Sequence, residues 1–331
     1  MAANLTPQYH EAEARYRAAK TPAEELAALE EMWRELPKHK SSEKIQADLK
    51  KKLSAARKAV QQGGPHTGAR VDPFAIPKCG AGQVALLGTP NVGKSSLVGG
   101  LTHAHVKIAD YPFATAVPVP GMAPFEDVQV QLIDTPPVTA EHVPTGFPGL
   151  WHTADALVIV ADLSADTLLD DVETCLRHLA ERHIALVDGP RERPAEIGGT
   201  LKVPGLVLAN KCDVAEAGAN LELLREYLDG RVRSEPVSTR DADKLGRLPV
   251  LLFKLLHVVR VYAKPPGRKP DLAEPFILSA GSDVHALARH VFRGLEHRTR
   301  SARVWGQGVM DGQNVHLDHV LCDKDVVELH A

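Results

Sequence analysis

The sequence Gly88-Thr89-Pro90-Asn91-Val92-Gly93-Lys94-Ser95 is a complete G-x-x-x-x-G-K-S motif. The apolar run before it, residues 84–87, predicts a buried strand, and a helix is predicted to begin at Ser95. A loop that joins a strand to a helix directs backbone N–H groups and the positive end of the helix dipole to one point. The sequence therefore predicts a loop that binds the phosphates of a nucleotide.

The side chains of this loop suit a nucleoside triphosphate bound with Mg²⁺. Lys94 is expected to reach the β- and γ-phosphates, and the Ser95 hydroxyl is expected to ligate the metal. The alternative, an ordinary glycine turn, is disfavoured by the strand before the motif and the helix after it. The predicted nucleotide contacts in this loop are Asn91, Val92, Gly93, Lys94, Ser95 and Ser96.

A second motif, Asn210-Lys211-Cys212-Asp213, directly follows the apolar run at residues 206–209. The Asp213 carboxylate can accept two hydrogen bonds from the edge of guanine, whereas adenine offers no matching pair of donors. Asn210 and Lys211 are expected to brace the loop. Alone, the motif is equally consistent with a surface turn. After a phosphate loop it favours guanine nucleotides, GTP and GDP, and disfavours an ATP-dependent phosphotransferase.

Further residues are predicted to complete the site. Asp134 ends an alternating run at residues 128–134 and is expected to be a second anchor for Mg²⁺. Thr115 lies in the loop before that run, where GTPases carry the threonine of their first switch. Ser238 and Thr239 lie at the position of the last guanine loop. The predicted catalytic residues are Lys94 and Thr115, and the predicted Mg²⁺ ligands are Ser95, Thr115 and Asp134.

With these motifs, the chain resembles the Obg-related GTPases called developmentally regulated GTP-binding proteins. Residues 111–115 are similar to the family's Y-x-F-T-T switch, and residues 261–267, 304–306 and 323–327 are similar to its C-terminal TGS domain. The resemblance covers about residues 81–331. It implies a P-loop GTPase core, with a doubly wound, mainly parallel sheet in an α/β fold, and a ubiquitin-like β-grasp TGS domain. It also implies a GTP-hydrolysing switch that works on ribosomes or in translation.

Two residues depart from GTPase patterns. Pro137 stands where the family has the glycine of D-x-P-G, and proline has no N–H to donate to the γ-phosphate. Val138 occupies the position of the water-positioning glutamine of Ras-like enzymes, so slow hydrolysis is expected. These departures keep an alternative open: a guanine-nucleotide-dependent RNA- or ribosome-binding adaptor with little or no turnover. Asn91 resembles the asparagine of potassium-stimulated GTPases, and a K⁺ site or a merely loop-stabilising side chain are equally compatible with it.

The organisation predicted along the chain has four parts: a helical arm at 1–62, a linker at 63–80, a GTPase domain at 81–261 and a TGS domain at 262–331. The arm is expected to hold three helices, the third with an apolar stripe formed by Ile45, Leu49, Leu53, Ala56 and Val60. Within the GTPase domain a helix is predicted at 168–183.

Composition is that of an ordinary globular protein, with 44% hydrophobic and 24% charged residues and a net charge of −3. No apolar run is long enough for a membrane span, and no signal-peptide pattern is present, so a cytoplasmic protein without a membrane partner is expected. The four cysteines lack paired spacing, which favours reduced thiols.

Positive charge is concentrated in two runs. Residues 38–58 carry eight basic residues against Glu43 and Asp48, and residues 289–303 carry five arginines against Glu296. Each run alone is equally consistent with a solvated helix face. Together, and with the resemblance, they favour contact with the phosphates of ribosomal RNA, whereas no DNA partner is expected.

Overall fold

The computed structural model describes residues 74–102, 117–196, 198–292 and 294–330, and within the N-terminal part residues 9, 12–13, 15–16, 22–36 and 49–53. By its contacts the chain divides into two compact units, residues 1–71 and 72–331. The division falls inside the predicted linker. The positions of the domain boundaries remain a prediction.

The smaller unit is helical where it is described. Helix α1 spans Pro22–Glu35, and residues 49–53 are also helical. Leu49 and Leu53 of the predicted stripe are buried, while Ile45, Ala56 and Val60 lie outside the described residues. The apolar cluster of this unit consists of Tyr9, Ala12, Leu29, Met32, Leu36, Leu49 and Leu53.

The first sheet of the larger unit is mainly parallel, as predicted. Its strands are β1 (Gln83–Leu87), β2 (Val119–Phe125), β3 (Val128–Asp134), β4 (Ala156–Asp162), β5 (Ile184–Val187), β6 (Leu201–Asn210) and β7 (Arg233–Pro236). Their order is β2-β3-β1-β4-β6-β5, and β7 also pairs with β6. Strand β2 runs antiparallel to β3, whereas β1, β4, β5, β6 and β7 pair in parallel.

Helices cover both faces of this sheet, which explains why strand β4 is buried along its whole length. The helices are α2 (Lys94–Thr102), α3 (Phe147–Thr153), α4 (Leu168–Ala180), α5 (Ala217–Leu228) and α6 (Ala242–Leu255). Helices α3, α4 and α5 pack on one face, and α2 and α6 pack on the other. The doubly wound α/β fold is therefore confirmed, and the helix predicted at 168–183 ends at Ala180.

The second sheet begins almost directly after α6, because β8 spans Val258–Ala263. The other strands are β9 (Phe276–Ser279), β10 (Ser301–Trp305), β11 (Gln313–Val315) and β12 (Asp325–His330), in the order β11-β10-β12-β8-β9. Helix α7 (Val284–Val291) packs on this sheet through Val284 and Leu287. Asp283 caps the helix by accepting a hydrogen bond from the backbone N–H of Ala286 at 2.7 Å. This is the arrangement expected of a β-grasp domain.

Residues 74–80, which the sequence analysis assigns to the linker, pack against the first sheet and its helices. The Phe74 ring lies edge-on to Phe147, with 5.4 Å between the centroids. The Gln131 side chain donates to the carbonyl of Pro77 at 3.0 Å. Among the helices that the structure describes, none is long and apolar enough to cross a membrane.

Candidate functional site

The phosphate loop connects β1 to α2 at the carboxyl edge of the parallel sheet. Gly93 has a φ of +95°, and a Cβ there would lie 2.3 Å from the Nδ2 atom of Asn210. Both the backbone conformation and the contact therefore require glycine. Asn91 is exposed, with a φ of +63°, which asparagine tolerates better than most residues. This conformation is consistent with the loop-stabilising role considered for Asn91.

Lys94 is buried at the start of α2, and its ammonium group faces the loop. Its Nζ donates to the backbone carbonyls of Gly88 at 2.8 Å and Thr89 at 2.9 Å. Burial lowers the pKa of Lys94 to about 8, although the nearby Asp134 carboxylate acts in the opposite direction. The ammonium is thus held inside the loop, where the arrival of phosphate would favour its charged form.

Ser95 and Asp134 meet at the place where a metal ion would be required. The Ser95 hydroxyl donates to Oδ2 of Asp134 at 2.6 Å. The other carboxylate oxygen, Oδ1, is buried and has no hydrogen-bond partner among the residues that the structure describes. Burial raises the pKa of Asp134, against the Ser95 hydrogen bond and the Lys94 charge. Two hard oxygen donors, one with an unused buried lone pair, are a donor set that fits Mg²⁺.

The third predicted metal ligand, Thr115, lies outside the described residues, as does the whole predicted switch at residues 111–115. Strand β2 begins shortly after it, at Val119, which pairs with Asp134 across the β2–β3 ladder.

The guanine motif lies beside the phosphate loop, at the end of β6. The Asn210 side chain donates from Nδ2 to the carbonyl of Val92 at 2.8 Å. Lys211, with a φ of +62°, extends its ammonium to Oδ2 of Asp162 at 2.5 Å. Asp162 is not among the predicted site residues, although it carries the same signal as Asp134: an acidic residue that ends an apolar strand. Asp162 fixes Lys211 and thereby the backbone of the motif.

Asp213 is held in place by the loop that follows β7. The hydroxyl of Ser238 donates to Oδ1 of Asp213 at 2.6 Å, and the Arg240 guanidinium lies 3.6 Å from Oδ2. The Ser238 hydrogen bond and the Arg240 charge together lower the pKa of Asp213. The position of Ser238 in the last guanine loop stays a prediction, and in the structure its side chain orients Asp213. Thr239 is exposed.

The segment after Asp134 is held against the phosphate loop. Val138 is fully buried in the core, so its side chain does not face the site. Its backbone N–H donates to the carbonyl of Gly88 at 3.1 Å. Pro137 lacks an N–H, and the next amide is already bonded, so neither offers a donor to a γ-phosphate.

The predicted basic runs are only partly described. Lys50, Lys51 and Lys52 are exposed in the smaller unit. Of the run at residues 289–303 in the second sheet domain, Arg289, Arg298, Arg300 and Arg303 are exposed, while Arg293 lies outside the described residues. Phe292, beside Arg289 at the end of α7, is 68% exposed.

The comparisons with known proteins agree with this architecture. Residues 83–188 match the family described as 50S ribosome-binding GTPase, and residues 259–331 match the TGS domain. The chain is 27% identical to developmentally-regulated G-protein 1 of Arabidopsis thaliana, over 88% of this chain and 87% of that protein. It is 25% identical to ribosome-interacting GTPase 1 of Saccharomyces cerevisiae, over 93% of this chain and 99% of that protein.

Among solved structures, the chain is similar to Era in complex with MgGDPNP and nucleotides 1506–1542 of 16S ribosomal RNA. The two are 21% identical, with a TM-score of 0.41, over 67% of this chain and 70% of that one.

Proposed function

Because this chain is an Obg-related GTPase of the developmentally regulated type with a C-terminal TGS domain, we propose that it hydrolyses GTP to GDP and phosphate as a ribosome-associated switch in the cytoplasm. The hydrogen bond from Asn210 to Val92 carries this proposal. It joins the guanine motif to the phosphate loop across 118 residues of sequence, so that base and phosphates would be bound by one rigid unit.

The residues of the site have distinct roles in this proposal. The backbone of residues 91–96 and the Lys94 ammonium bind the phosphates, and Asp213 binds the guanine edge. Ser95 and Asp134, with Thr115, would hold Mg²⁺, which supplies positive charge to the phosphate oxygens when it is bound. Asp162 and Ser238 orient Lys211 and Asp213, respectively.

Ribosomal RNA is the partner that the charge distribution favours. Arg289, Arg298, Arg300 and Arg303 of the TGS domain are exposed, and the same domain carries an exposed aromatic ring, Phe292, which can stack on a base. A relative of similar length is named a ribosome-interacting GTPase. Contact with RNA phosphates is therefore part of the proposal.

A second candidate function rests on Pro137 and Val138. The segment after Asp134 corresponds to the second switch of GTPases. With no N–H at Pro137 and the Val138 amide bonded to Gly88, ordering of this segment by GTP loses its usual donor. The protein would then act as a guanine-nucleotide-dependent adaptor on RNA or ribosomes, with little turnover.

Phosphate release at saturating GTP, with and without ribosomes and in KCl or NaCl, tests the two candidates. We expect slow phosphate release from GTP but not from ATP. Ribosomes should accelerate this release, and Lys94→Met should abolish it. The matched control is Lys78→Met, which removes a surface ammonium paired with Asp155. Nucleotide binding without release under every condition would favour the adaptor, and acceleration by KCl alone would assign a K⁺ site to Asn91.

A further inference from the structure

Arg260, on strand β8 of the TGS domain, is buried at the junction with the first sheet and is only 2% exposed. Its guanidinium holds Asp323 through two nitrogen atoms, at 3.1 and 2.6 Å. The remaining terminal nitrogen donates to Glu126 at 2.6 Å and to Asp127 at 2.5 Å. Glu126 and Asp127 form the tip of the β2–β3 hairpin, so one side chain ties the two domains together.

Aromatic rings and a hydroxyl complete this junction. The Arg260 guanidinium carbon lies 5.2 Å from the ring centroid of Phe125 and 4.9 Å from that of Phe253. The Tyr262 hydroxyl donates to the second oxygen of Asp127 at 2.5 Å. The hydrogen bonds that Arg260 donates to Asp323, Glu126 and Asp127 outweigh desolvation and raise the pKa of Arg260 above its already high ordinary value. The guanidinium is therefore fully charged at every physiological pH.

Burial of the Arg260 guanidinium is costly because this group loses its hydration, whereas its three carboxylate partners remain partly exposed. Apolar side chains between Phe125 and Phe253 would hold the domains as well or better. The guanidinium group adds several hydrogen-bond donors in a fixed planar geometry, and these donors fix the position of the hairpin relative to strand β8. The chemistry of the junction thus points to positioning of the hairpin rather than to stability alone.

The hairpin leads from this junction to the metal site. Seven residue pairs run from Phe125–Val128 at the tip to Val119–Asp134 at the base. A strand of this length spans about 20 Å, and the unbroken ladder fixes the register between the two strands from the tip to the base. At the far end stand the Mg²⁺ anchor Asp134 and Val119, which follows the first-switch segment.

We propose that Arg260 is a positioning residue of the GTPase site, which fixes Asp134 through the β2–β3 hairpin and so couples the TGS domain to Mg²⁺ binding. The inference rests on the proposed function, because it concerns the same metal-dependent nucleotide site. By reciprocity, binding of Mg²⁺ and GTP tightens the Arg260 junction, and a displacement of the TGS domain weakens Mg²⁺ binding.

The test compares full-length Arg260→Lys, Asp127→Asn and Tyr262→Phe with wild type. Arg260→Lys keeps the positive charge but loses the planar set of guanidinium donors. Asp127→Asn and Tyr262→Phe each alter fewer contacts at the junction, so they still test the proposal if Arg260→Lys does not fold. Glu192→Gln is the matched control, because it neutralises an exposed carboxylate, paired with Lys202 at 2.8 Å, that lies beside the first sheet on a different segment from the β2–β3 hairpin.

Two readouts are measured: the Mg²⁺ concentration that half-saturates binding of a fluorescent GTP analogue, and amide hydrogen exchange at residues 119–134 and 258–263. We expect the Mg²⁺ requirement to rise about fivefold in Arg260→Lys and less in the milder variants, with unchanged analogue affinity in EDTA. In wild type, Mg²⁺ and GTP should slow exchange at the hairpin tip and β8, and Arg260→Lys should lose this slowing.

An unchanged Mg²⁺ requirement in all three junction variants, with a lowered melting temperature, would overturn the proposal and leave Arg260 a structural residue. The same holds if Glu192→Gln shifts the requirement equally. Failure of wild type to bind guanine nucleotide at any Mg²⁺ concentration would instead refute the proposed function, and the positioning role with it.

Discussion

At the scale of single residues, the Asp213 carboxylate, which is proposed to bind guanine, is already oriented in the protein without a bound base. The Ser238 hydroxyl fixes one oxygen of Asp213, and Arg240 lies near the other. Both interactions favour the ionised form, so the carboxylate is an acceptor only. An oriented group that only accepts hydrogen bonds discriminates between bases by the donors that they carry.

Replacement of Asp213 by Asn should change the base preference. The amide presents a donor where the carboxylate had only acceptors, so GTP affinity should fall about a hundredfold or more and xanthosine triphosphate should become the better ligand. Competition binding of the two nucleotides measures this. Parental GTP affinity in the variant would remove Asp213 from the base site; Asp229→Asn, on a different loop, serves as the control.

Lys94 should take up a proton when GTP binds at alkaline pH. Its pKa of about 8 lies below the ordinary 10.5, and phosphate restores the charged form. Calorimetry in two buffers of different ionisation enthalpy should thus show uptake of more than half a proton at pH 8.5 and almost none at pH 6.5. In the unfolded chain Lys94 stays protonated up to its ordinary pKa of 10.5, whereas in the folded protein its pKa is about 8. The contribution of Lys94 to the free energy of unfolding therefore increases between about pH 8 and pH 10.5. No uptake at pH 8.5 would contradict the prediction.

Sequence patterns identify residues whose spacing is set by local geometry, and they miss contacts between segments that are far apart in the chain. Ser95 and Asp134 belong to motifs whose spacing follows from local geometry, so they can be selected without a structure. The Ser238–Asp213 and Asp162–Lys211 contacts join segments far apart in the chain. Side-chain partners of this kind depend on which strands become neighbours, and no local pattern encodes that.

At the scale of elements, the segment that follows β3 combines a proline with an occupied amide. Pro137 has no N–H, and the Val138 N–H is bonded to the carbonyl of Gly88 at 3.1 Å. In this segment, a γ-phosphate therefore gains no donor from either residue.

The free protein should accordingly distinguish GTP from GDP by less than about tenfold, because one charge-assisted hydrogen bond worth roughly 1.5–3 kcal/mol is missing. Calorimetric affinities for the two nucleotides with Mg²⁺ measure the ratio. Pro137→Gly, which restores an N–H at this position, should increase the preference for GTP. A preference of a hundredfold or more in wild type would mean that a different group supplies the donor.

Element types follow from the sequence more readily than element partners. Strands β1 and β6 are apolar runs next to motifs, and alternation identifies β3, so their existence could be predicted. The hairpin tip at Glu126-Asp127 contains no glycine, and Glu126 has a φ of +50°. Its conformation is stabilised by contacts with Arg260 and Lys324 from the second sheet, which local sequence does not reveal.

At the scale of the whole molecule, the proposed RNA contacts predict a salt dependence. Charge reversal of Lys50, Lys51 and Lys52 to Glu should weaken ribosome binding and reduce its logarithmic salt slope by about 0.7–0.9 for each phosphate that the variant no longer binds. GTP affinity should not change, since these lysines do not belong to the motifs that are predicted to bind the nucleotide. Co-sedimentation with ribosomes across a salt series measures the slope.

The matched control reverses Lys202, Lys254 and Lys269 to Glu, three exposed lysines whose replacement changes the net charge equally. Equal weakening by both triple variants would indicate a general charge effect. Unchanged co-sedimentation of the first variant would assign residues 50–52 to a solvated helix face and leave the TGS arginines as the RNA surface.

The order of the second sheet, β11-β10-β12-β8-β9, constrains how that domain is made. Its central parallel pair joins Val261 to Asp325, with α7 and three strands in between. A loop this long loses much conformational entropy before the pair gains any backbone hydrogen bonds. In a refolding experiment, the local β2–β3 hairpin should therefore acquire structure early, whereas the second sheet should form late and as a single cooperative event.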